Sequence, residues 1–506
     1  MDNHLFLPLI IPLLSAVLAT LVGQRRIIAR SIALAAVLFD LSYSIWLLFA
    51  VGATGRMVTQ ADDFAAPFGI SLVADGLSAI MLLLTSVMML VTVLYSFSTV
   101  SPYRERYYYY PLLLLLLFGC GGAFLTGDLF NLYVWFEVLL VASFGLITLG
   151  GERGQLEGGL KYVVLNLIGS TSFLVGAGLL YGVAGTLNMA HLAERLGTLQ
   201  QPGIVTAVAG FFLFAYSSKA GLVPVFFWLP TSYHTPTVAV SALFSGLLTK
   251  VGIYALYRVF GTVFQRELER YGTLILIIAA LTMVIGVMGA MAQVNVRRIL
   301  SFHIISQVGY MIMGLGLVGV AGLAAGILYM VHHIVVKTAL FMIGGTAEYL
   351  SGTGELKQMG GMARREPILA GLWLLASFSL AGLPPLSGFF GKLGLIQVGV
   401  DQGQWLIVGV AATVSLFTLF SMLKIWNEVF WKKPSGDQAT MPRASATLLA
   451  PSVVLVALSI AIGFGARPVL NYSRFAAEQV FNTQSLVQDV CGPAGCNAVI
   501  STANSK

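Results

Sequence analysis

Apolar segments that recur from one end of the chain to the other constrain its fold more than any other feature of the sequence. An α-helix needs about 20 such residues to cross a bilayer. Of the 506 residues, 58% are hydrophobic and 10% are charged, whereas soluble domains carry about 25% charged residues. Because only helices and closed barrels satisfy the backbone in lipid, the sequence predicts an all-α polytopic membrane protein rather than a large soluble one.

The apolar segments predict about fourteen transmembrane helices, two of them broken. Their expected ranges are 5–23, 28–52, 72–99, 108–126, 129–149, 158–183, 203–229 (broken), 236–260, 271–292, 297–318, 320–349, 367–400 (broken), 404–430 and 446–467. The first helix has no basic region before it and no evident small-residue cleavage site. We therefore interpret it as a retained span rather than a signal peptide.

Basic residues are concentrated in the loops that follow odd-numbered helices. They are Arg25, Arg26, Arg30, Arg104, Arg106, Arg153, Lys161, Arg297, Arg298, Lys357, Arg364, Arg365, Lys432, Lys433 and Arg443. The positive-inside rule then places these loops in the cytoplasm and both termini outside the cell. Topology also accounts for the net charge of +7, so we predict no nucleic-acid partner.

One stretch combines a charge with a helix break. Lys219–Lys250 reads KAGLVPVFFWLPTSYHTPTVAVSALFSGLLTK, with Pro224 five residues after the first lysine and His234 in the bend that follows. A lysine in a membrane helix costs ~2.5–3.5 kcal/mol on insertion scales and by default marks an ion or proton path. A broken helix is tolerated only where it faces protein or a water-filled cavity. Together these features are typical of a transporter site.

The sequence around the first break is weakly repeated later in the chain. Ala220–Pro224 (AGLVP) recurs as Ala381–Pro385 (AGLPP), an offset of 161 residues (381 − 220), with Lys219 before the first copy and Lys392 after the second. The breaking residues are Pro224, Pro384 and Pro385. The two broken helices are five apart in order, so corresponding helices cross the membrane in opposite senses, as in inverted repeats.

This pattern predicts four parts. They are an N-terminal three-helix segment (1–107), a first five-helix repeat (108–260), a second inverted repeat (271–430), and a last helix with a polar tail outside the cell (446–506).

Ionisable side chains inside the predicted spans are the candidate site. The proton-path candidates are Glu137, Lys219, Lys250, His332, His333, Lys337 and Lys392, and the secondary candidates are His234, His303 and Lys424. Burial disfavours the charged form of a lysine, whereas a carboxylate alongside favours it. A lysine that is paired for only part of the time is therefore a two-state proton site, and several in a line make a lateral path.

Other interpretations stay open for some of these residues. Lys337 and Lys424 have an alternative role as lysines that extend to the headgroups, and His234 and His303 as satisfied polar histidines near helix ends. Cys491 and Cys496 in the tail either form a small disulfide loop, if the tail is outside the cell, or stay free.

No enzymatic motif accompanies these ionisable residues. The sequence contains no Walker loop, dinucleotide fingerprint, CxxC motif or metal-ligand cluster. We predict a transporter with no catalytic residue, no cofactor and no metal site.

Several motifs in combination resemble a known family. The Glu137 helix, FFWLPTSYHTP at the first break, LLTK, HHxxxK and PPLSGFFGK at the second break look like the antiporter-like subunits of respiratory complex I and of Mrp-type multisubunit cation/proton antiporters. SYHTP and Lys392 are most similar to D-type Mrp subunits. The resemblance covers nearly the whole chain.

The resemblance implies a role for each matching residue. Glu137 and Lys219 would form the charge pair of a first half-channel, Lys250 would connect the halves, His332 or His333 would continue the line, and Lys392 would be the terminal site of the second half-channel.

The resemblance also implies partners and an activity. The chain would work with membrane subunits of the A, B, C, E, F and G types in a bacterial plasma membrane, exchanging external protons for internal sodium. Because a row of lysines is a poor cation site, we expect this chain to carry protons and sodium to pass mostly elsewhere. The alternative is a proton-pumping subunit of a redox-driven complex, an NADH–quinone oxidoreductase or a membrane-bound hydrogenase.

Overall fold

The computed structural model describes residues 3–498, apart from residues 24, 62–63, 200–201 and 434–442. The last residues of the predicted tail, 499–506, lie outside the described part. Within it the chain is helical except for connecting segments and one small sheet, in which strands Met57–Gln60 and Ser71–Ala74 pair antiparallel.

The helices of the first half of the chain are α1 (Leu7–Val22), α2 (Arg26–Thr54), α3 (Gly76–Thr99), α4 (Pro102–Arg106), α5 (Tyr109–Leu125), α6 (Leu129–Thr148), α7 (Arg153–Ala184), α8 (Met189–Arg195), α9 (Pro202–Ala220), α10 (Trp228–Ser232), α11 (Val238–Gly246) and α12 (Leu248–Thr262). Those of the second half are α13 (Gln265–Ala292), α14 (Val296–Gly316), α15 (Val320–Ser351), α16 (Met362–Arg365), α17 (Pro367–Ala381), α18 (Ser387–Asp401), α19 (Trp405–Ile425), α20 (Ala446–Phe464), α21 (Ala466–Phe481) and α22 (Thr483–Cys491).

The prediction of an all-α polytopic membrane protein is confirmed. In the described residues, twelve helical segments are long and apolar enough to cross a membrane, and α5 and α17 are shorter apolar helices. The number of fourteen spans, the inverted repeats and the four-part division stay predictions.

The helices form a centre and a rim. The most apolar part of α15 is buried throughout, and that of α14 and of the α11–α12 segment is almost entirely buried. Helices α1, α2 and α19 instead expose large apolar side chains such as Leu21, Phe49 and Leu416. The buried helices are less apolar than these rim helices, because polar and ionisable side chains in a membrane protein face its interior. The histidine pair of the candidate site lies on the buried helix α15.

Glycines bring α14 and α15 into backbone contact. A Cβ added to Gly314 would lie 2.7 Å from the Gly326 Cα and 2.8 Å from the Gly322 carbonyl oxygen. Small residues permit this close approach of two membrane helices. The contact holds the two central helices against each other along one edge.

Both predicted helix breaks occur. Helix α9 ends at Ala220, followed by Gly221 at φ +75°, and α17 ends at Ala381, followed by Gly382 at φ +90°. Each break contains a cis peptide bond, before Pro224 and before Pro385. These positions keep the offset of 161 residues found in the sequence (385 − 224).

A third break was not predicted. The sequence indicates one helix over 236–260, but the structure divides it at Leu247 into α11 and α12. The Lys250 ammonium donates a hydrogen bond to the Ser245 carbonyl oxygen beside this break. The lysine thus provides a hydrogen-bond donor for a carbonyl near the end of α11, where helical carbonyls have no amide partner in the helix.

The tail is folded onto the membrane helices. Helix α21 packs on α3, α12 and α15, and a Cβ added to Gly76 would lie 3.1 Å from the Ala476 Cα. Cys491 and Cys496 form a disulfide, so the disulfide alternative is the one found. The loop that it closes is bonded to Glu194 of α8, since the Cys496 amide donates to Glu194 Oε2 at 2.9 Å.

Candidate functional site

Glu137 lies on α6, whose first turn is capped by Asp128, which accepts a hydrogen bond from the Asn131 amide at 2.8 Å. The Glu137 side chain is half-buried. Its Oε1 atom is enclosed and has no hydrogen-bond partner among the described residues. A carboxylate oxygen enclosed without a donor is costly, so this side chain is poised to take a proton or a donor.

Lys219 lies in the last turn of α9 and is 7% exposed. Its ammonium donates to Ser170 Oγ on α7 at 2.9 Å and lies 5.6 Å from the centre of the Phe136 ring. Glu137 acts on it electrostatically, but no ion pair joins the two in the described part of the chain. Glu137 and Lys219, the predicted charge pair, are therefore near enough to interact electrostatically but do not form a salt bridge in this structure.

A small cavity adjoins the Lys219 ammonium. The volume open to the centre of a water-sized sphere is about 20 Å³. By the same measure a cavity needs about 10–15 Å³ to hold one water, so this one has room for a single water. Its lining comes from four parts of the chain: Phe136, Leu139, Leu140, Tyr162, Asn166, Lys219, Trp228, Leu248 and Val251. The cavity thus lies between Lys219 and the first turn of α12, which carries Lys250.

Lys250, His333 and Lys337 are fully buried at the centre of the protein. Both ring nitrogens of His333 and the Lys337 ammonium lack a hydrogen-bond partner among the described residues. Lys250, Lys337 and Lys392 all act electrostatically on His333. His333 therefore lies within the electrostatic reach of lysines from three different helices.

His332 is anchored where its neighbour is not. Its Nδ1 lies 2.7 Å from Ser387 Oγ, at the start of α18. Ser387 in turn is 3.1 Å from Ser379 Oγ and 2.9 Å from Ser459 Oγ. The sequence reasoning missed these serines, because serine is common in membrane helices and nothing in the sequence joins Ser459 to the second break.

Lys392 is held at the second break. Its ammonium donates to the Ala381 carbonyl oxygen at 3.0 Å and to Ser415 Oγ at 2.7 Å, and it lies 4.8 Å from the centre of the Tyr310 ring. The break thus supplies a main-chain acceptor for the lysine, the role expected of unwound backbone at membrane depth.

The secondary candidates differ in their surroundings. His303 is fully buried in the second turn of α14, with Nε2 2.9 Å from Ser421 Oγ, and Lys337 and Lys392 act on it electrostatically. His234 is half-buried, with Nδ1 2.9 Å from the Pro230 carbonyl oxygen.

Lys424 lies at the end of another helix. Its ammonium donates to the carbonyl oxygens of Met291 at 3.0 Å and Gln293 at 2.7 Å. These carbonyls belong to the end of α13, so Lys424 caps that helix.

Three buried charged residues inside the predicted spans were missed among the described residues. Arg258 donates two hydrogen bonds to Asp75, which caps α3, and Asp40 on α2 accepts a hydrogen bond from Ser86 at 2.9 Å. All three fall within predicted helices, so the rule that singled out the lysines would have found them. In the described residues no group of three or more His, Cys, Asp or Glu side chains could hold a metal ion.

A helical membrane protein with broken helices and several buried titratable side chains has the architecture of an ion or proton transporter. This chain belongs to the NADH:quinone oxidoreductase/Mrp antiporter transmembrane family, whose model matches residues 126–418.

Known proteins resemble the chain over nearly its full length. It is 45% identical to the D-type subunit of the Na(+)/H(+) antiporter of Alkalihalophilus pseudofirmus, over 97% of this chain and 99% of that protein. The corresponding protein of Bacillus subtilis is 39% identical over the same shares. A chain of the Mrp complex from Dietzia sp. DQ12-45-1b superposes with a TM-score of 0.92 at 34% identity, over 97% of this chain and all of that one.

Redox complexes contain similar chains. One from an archaeal membrane-bound sulfane sulfur reductase gives a TM-score of 0.89 at 26% identity, over 97% of this chain and all of that one. A chain of respiratory complex I from Thermus thermophilus gives 0.81 at 22% identity, over 94% of this chain and all of that one, and this second likeness concerns the fold alone.

Proposed function

We propose that the chain is a proton-translocating subunit of a multisubunit Na⁺/H⁺ antiporter. It assembles with other membrane subunits, of the A, B, C, E, F and G types, in a bacterial plasma membrane, with both of its termini outside the cell. The similarity to D-type antiporter subunits over 97% of the chain supports the assembly, and the row of buried titratable side chains supports the activity.

The observation that carries the proposal is the isolation of the central lysines. Lys250 and Lys337 are fully buried, and neither is in an ion pair within the described residues. An unpaired charge is very costly in such a place. Each amine is therefore stable when neutral and takes a proton only for a short time, which is the behaviour that a relay requires.

The first half of the row begins at Glu137 and Lys219. Lys219 donates to Ser170, while Glu137 Oε1 has no partner among the described residues, so approach of the carboxylate to the ammonium would stabilise the charged lysine. The adjoining cavity has room for one water between Lys219 and the first turn of α12, which carries Lys250, and such a water would extend the path in that direction. Lys219 would keep its proton when it is paired with Glu137 and release it more readily when it is bonded to Ser170 instead.

The second half runs from Lys337 to Lys392. His333 is the better candidate to continue the line, since both of its nitrogens lack a hydrogen-bond partner in the described part of the chain and lysines on either side act on it. His332 and His303 lie beside the line, each with one nitrogen bonded to a serine and the other without a partner among the residues that the structure describes. We assign His234 and Lys424 to structural roles, because main-chain carbonyls bind both.

Sodium passes mostly through other subunits. The central row consists of amines and imidazoles, whereas hard cations in proteins prefer oxygen ligands. Glu137 is the carboxylate of the row, and it faces a lysine that competes for it.

A redox-driven proton pump is the second candidate. The likeness to the archaeal respiratory complex favours it, because a lateral charge path serves either driving partner. Purification of the intact complex separates the two. Small membrane subunits alone indicate an antiporter, and flavin or iron–sulfur subunits indicate a redox pump.

Sodium-driven pH change in vesicles that contain the intact complex tests the proton path. Lys250→Ala should abolish the pH change without affecting assembly. Lys161→Ala is the control, because Lys161 is an exposed lysine that pairs with Glu157 on its own helix. Normal exchange by the Lys250→Ala complex refutes the path.

A further inference from the structure

Three buried hydroxyls form a closed cluster at the second helix break. Ser379 lies in the last turn of α17, Ser387 is the first residue of α18 and Ser459 comes from α20. Their Oγ atoms are 3.1 Å (Ser379–Ser387), 3.0 Å (Ser379–Ser459) and 2.9 Å (Ser387–Ser459) apart. We call these three residues the serine ring.

The serine ring binds one side of a histidine. His332 is fully buried, and its Nδ1 lies 2.7 Å from Ser387 Oγ. Its Nε2 is enclosed and has no hydrogen-bond partner among the described residues. The imidazole is therefore anchored through one nitrogen, and the other is available to a proton.

The number of hydrogens decides which nitrogen of His332 is protonated. Three contacts within the serine ring and one to His332 need four hydrogens, and three hydroxyls supply three. All four bonds form only when His332 carries its proton on Nδ1 and donates it to Ser387. If Nδ1 is bare, Ser387 donates to it and one contact of the ring has no hydrogen. A buried hydrogen bond left unmade is costly.

We propose that the serine ring holds His332 as the tautomer protonated on Nδ1, so that Nε2 is its only proton acceptor. A proton that reaches Nε2 gives an imidazolium, and the same proton leaves from Nε2, so no other bond changes. His332 then acts as a side store for one proton, next to His333 in the line. This role rests on the proposed function, whereas the tautomer does not.

Helix α20 thereby contributes to the site. Ser459 lies outside both predicted repeats, and it acts on the proton path only through His332, as a positioning residue. If the ring merely joins helices, loss of a hydroxyl changes stability and leaves the tautomer unchanged.

Ser459→Ala tests the count of hydrogens. It leaves two hydroxyls and two contacts, Ser379–Ser387 and Ser387–His332, which both tautomers satisfy. The constraint on His332 is thus released, and Ser459→Thr restores it. Ser452→Ala is the matched control, because Ser452 is buried on the same helix seven residues earlier and its Oγ has no partner among the described residues.

The measurement is ¹⁵N NMR of the histidine-labelled intact complex, in which ring-nitrogen shifts distinguish the tautomers. Loss of a signal in His332→Gln assigns it. We expect the Nδ1–H tautomer in the wild type, Ser459→Thr and Ser452→Ala, and a mixture of tautomers in Ser459→Ala. The pH dependence of sodium-driven exchange should shift in Ser459→Ala alone.

An Nε2–H tautomer in the wild type, or an unchanged tautomer in Ser459→Ala, overturns the proposal. If Ser459→Ala does not assemble, Ser379→Ala repeats the test, with Ser377→Ala as control on the same helix, since Ser377 Oγ is buried without a partner in the described part of the chain. Normal exchange by His332→Gln contradicts the role of His332 in the path, and the NMR result decides the tautomer separately.

Discussion

Lys219 Nζ lies 2.9 Å from Ser170 Oγ. It forms no ion pair with Glu137, which is the partner that the sequence resemblance implies. The lysine thus has a neutral acceptor in this state and a carboxylate nearby for another. A carboxylate favours the charged amine more strongly than a hydroxyl does, so under the proposed function a move of Lys219 from Ser170 to Glu137 would bind its proton more tightly.

Loss of either member of this open pair should abolish proton-coupled exchange. Glu137→Ala removes the carboxylate and Lys219→Ala the amine, so the two-state proton site no longer exists. Acidification of vesicles driven by sodium measures the effect, with assembly checked by copurification. Glu157→Ala, at an exposed surface pair, should behave as the wild type. Near-normal exchange by either of the first two variants would contradict the assignment.

Ser170→Ala should slow exchange without stopping it. The variant removes the neutral acceptor of Lys219, and an unmade buried hydrogen bond costs about 1–3 kcal/mol. We expect a decrease of about tenfold, which corresponds to ~1.4 kcal/mol. Ser172→Ala on the same helix is the control, because Ser172 is only half-buried and donates to the Phe211 carbonyl oxygen rather than to a lysine or a carboxylate. Equal rates in both variants would show that Ser170 does not hold the lysine.

Lys424→Ala should lower stability more than activity. The ammonium caps the end of α13 through two carbonyls, and hydrogen bonds to charged groups contribute about 1.5–3 kcal/mol each when buried. Thermal unfolding of the purified complex should begin at a lower temperature, while exchange per assembled complex falls only mildly. Complete loss of exchange in a stable complex would place Lys424 in the proton path.

Asp75→Asn should destabilise the protein strongly. Asp75 is 0% exposed and accepts two hydrogen bonds from Arg258, and removal of one partner of a buried pair costs about 3–5 kcal/mol. Adding Arg258→Met should recover part of the loss, since no uncompensated charge then remains. Asp489→Asn, at an exposed partner of Arg56, should have little effect on the unfolding temperature.

Docking of the disulfide loop on α8 should weaken in acid. Burial lowers the pKa of His191, whose Nε2 lies 3.2 Å from Asn497 Oδ1. With its folded pKa below the unfolded value of about 6.5, the stabilisation is complete above that pH and is lost as the pH falls toward the folded pKa. Hydrogen exchange of residues 492–498 at pH 7.5 and 5 measures it, and His191→Gln should remove the difference.

The sequence predicts the parts of the fold that depend on local chemistry. Apolar length identifies the membrane helices, and Pro224, Pro384 and Pro385 identify two breaks that the structure contains. The break at Leu247 could not be found in this way, because it contains no proline and its carbonyl partner is the side chain of Lys250.

The site was predicted as a set of residues and not as an arrangement. Charge in an apolar helix is enough to select Lys250 or Lys337, and the same rule applied to every span also selects Asp40, Asp75 and Arg258. The serine ring and the cap formed by Lys424 depend on which helices are neighbours, and a single sequence does not contain that information.

The glycine contact between α14 and α15 limits how such a protein can move. Because Gly314 lies against Gly326, the two central helices are expected to move together as one rigid unit, which carries His303, His332 and His333. Helix α18 is tied to the same unit, since Ser387 Oγ lies 2.7 Å from His332 Nδ1, and α12 packs closely on α9, since a Cβ added to Gly252 would lie 2.6 Å from the Ala220 main-chain nitrogen. A swing of either half-helix would have to break these contacts, so a transport cycle is expected to depend on small movements of side chains and water between packed helices.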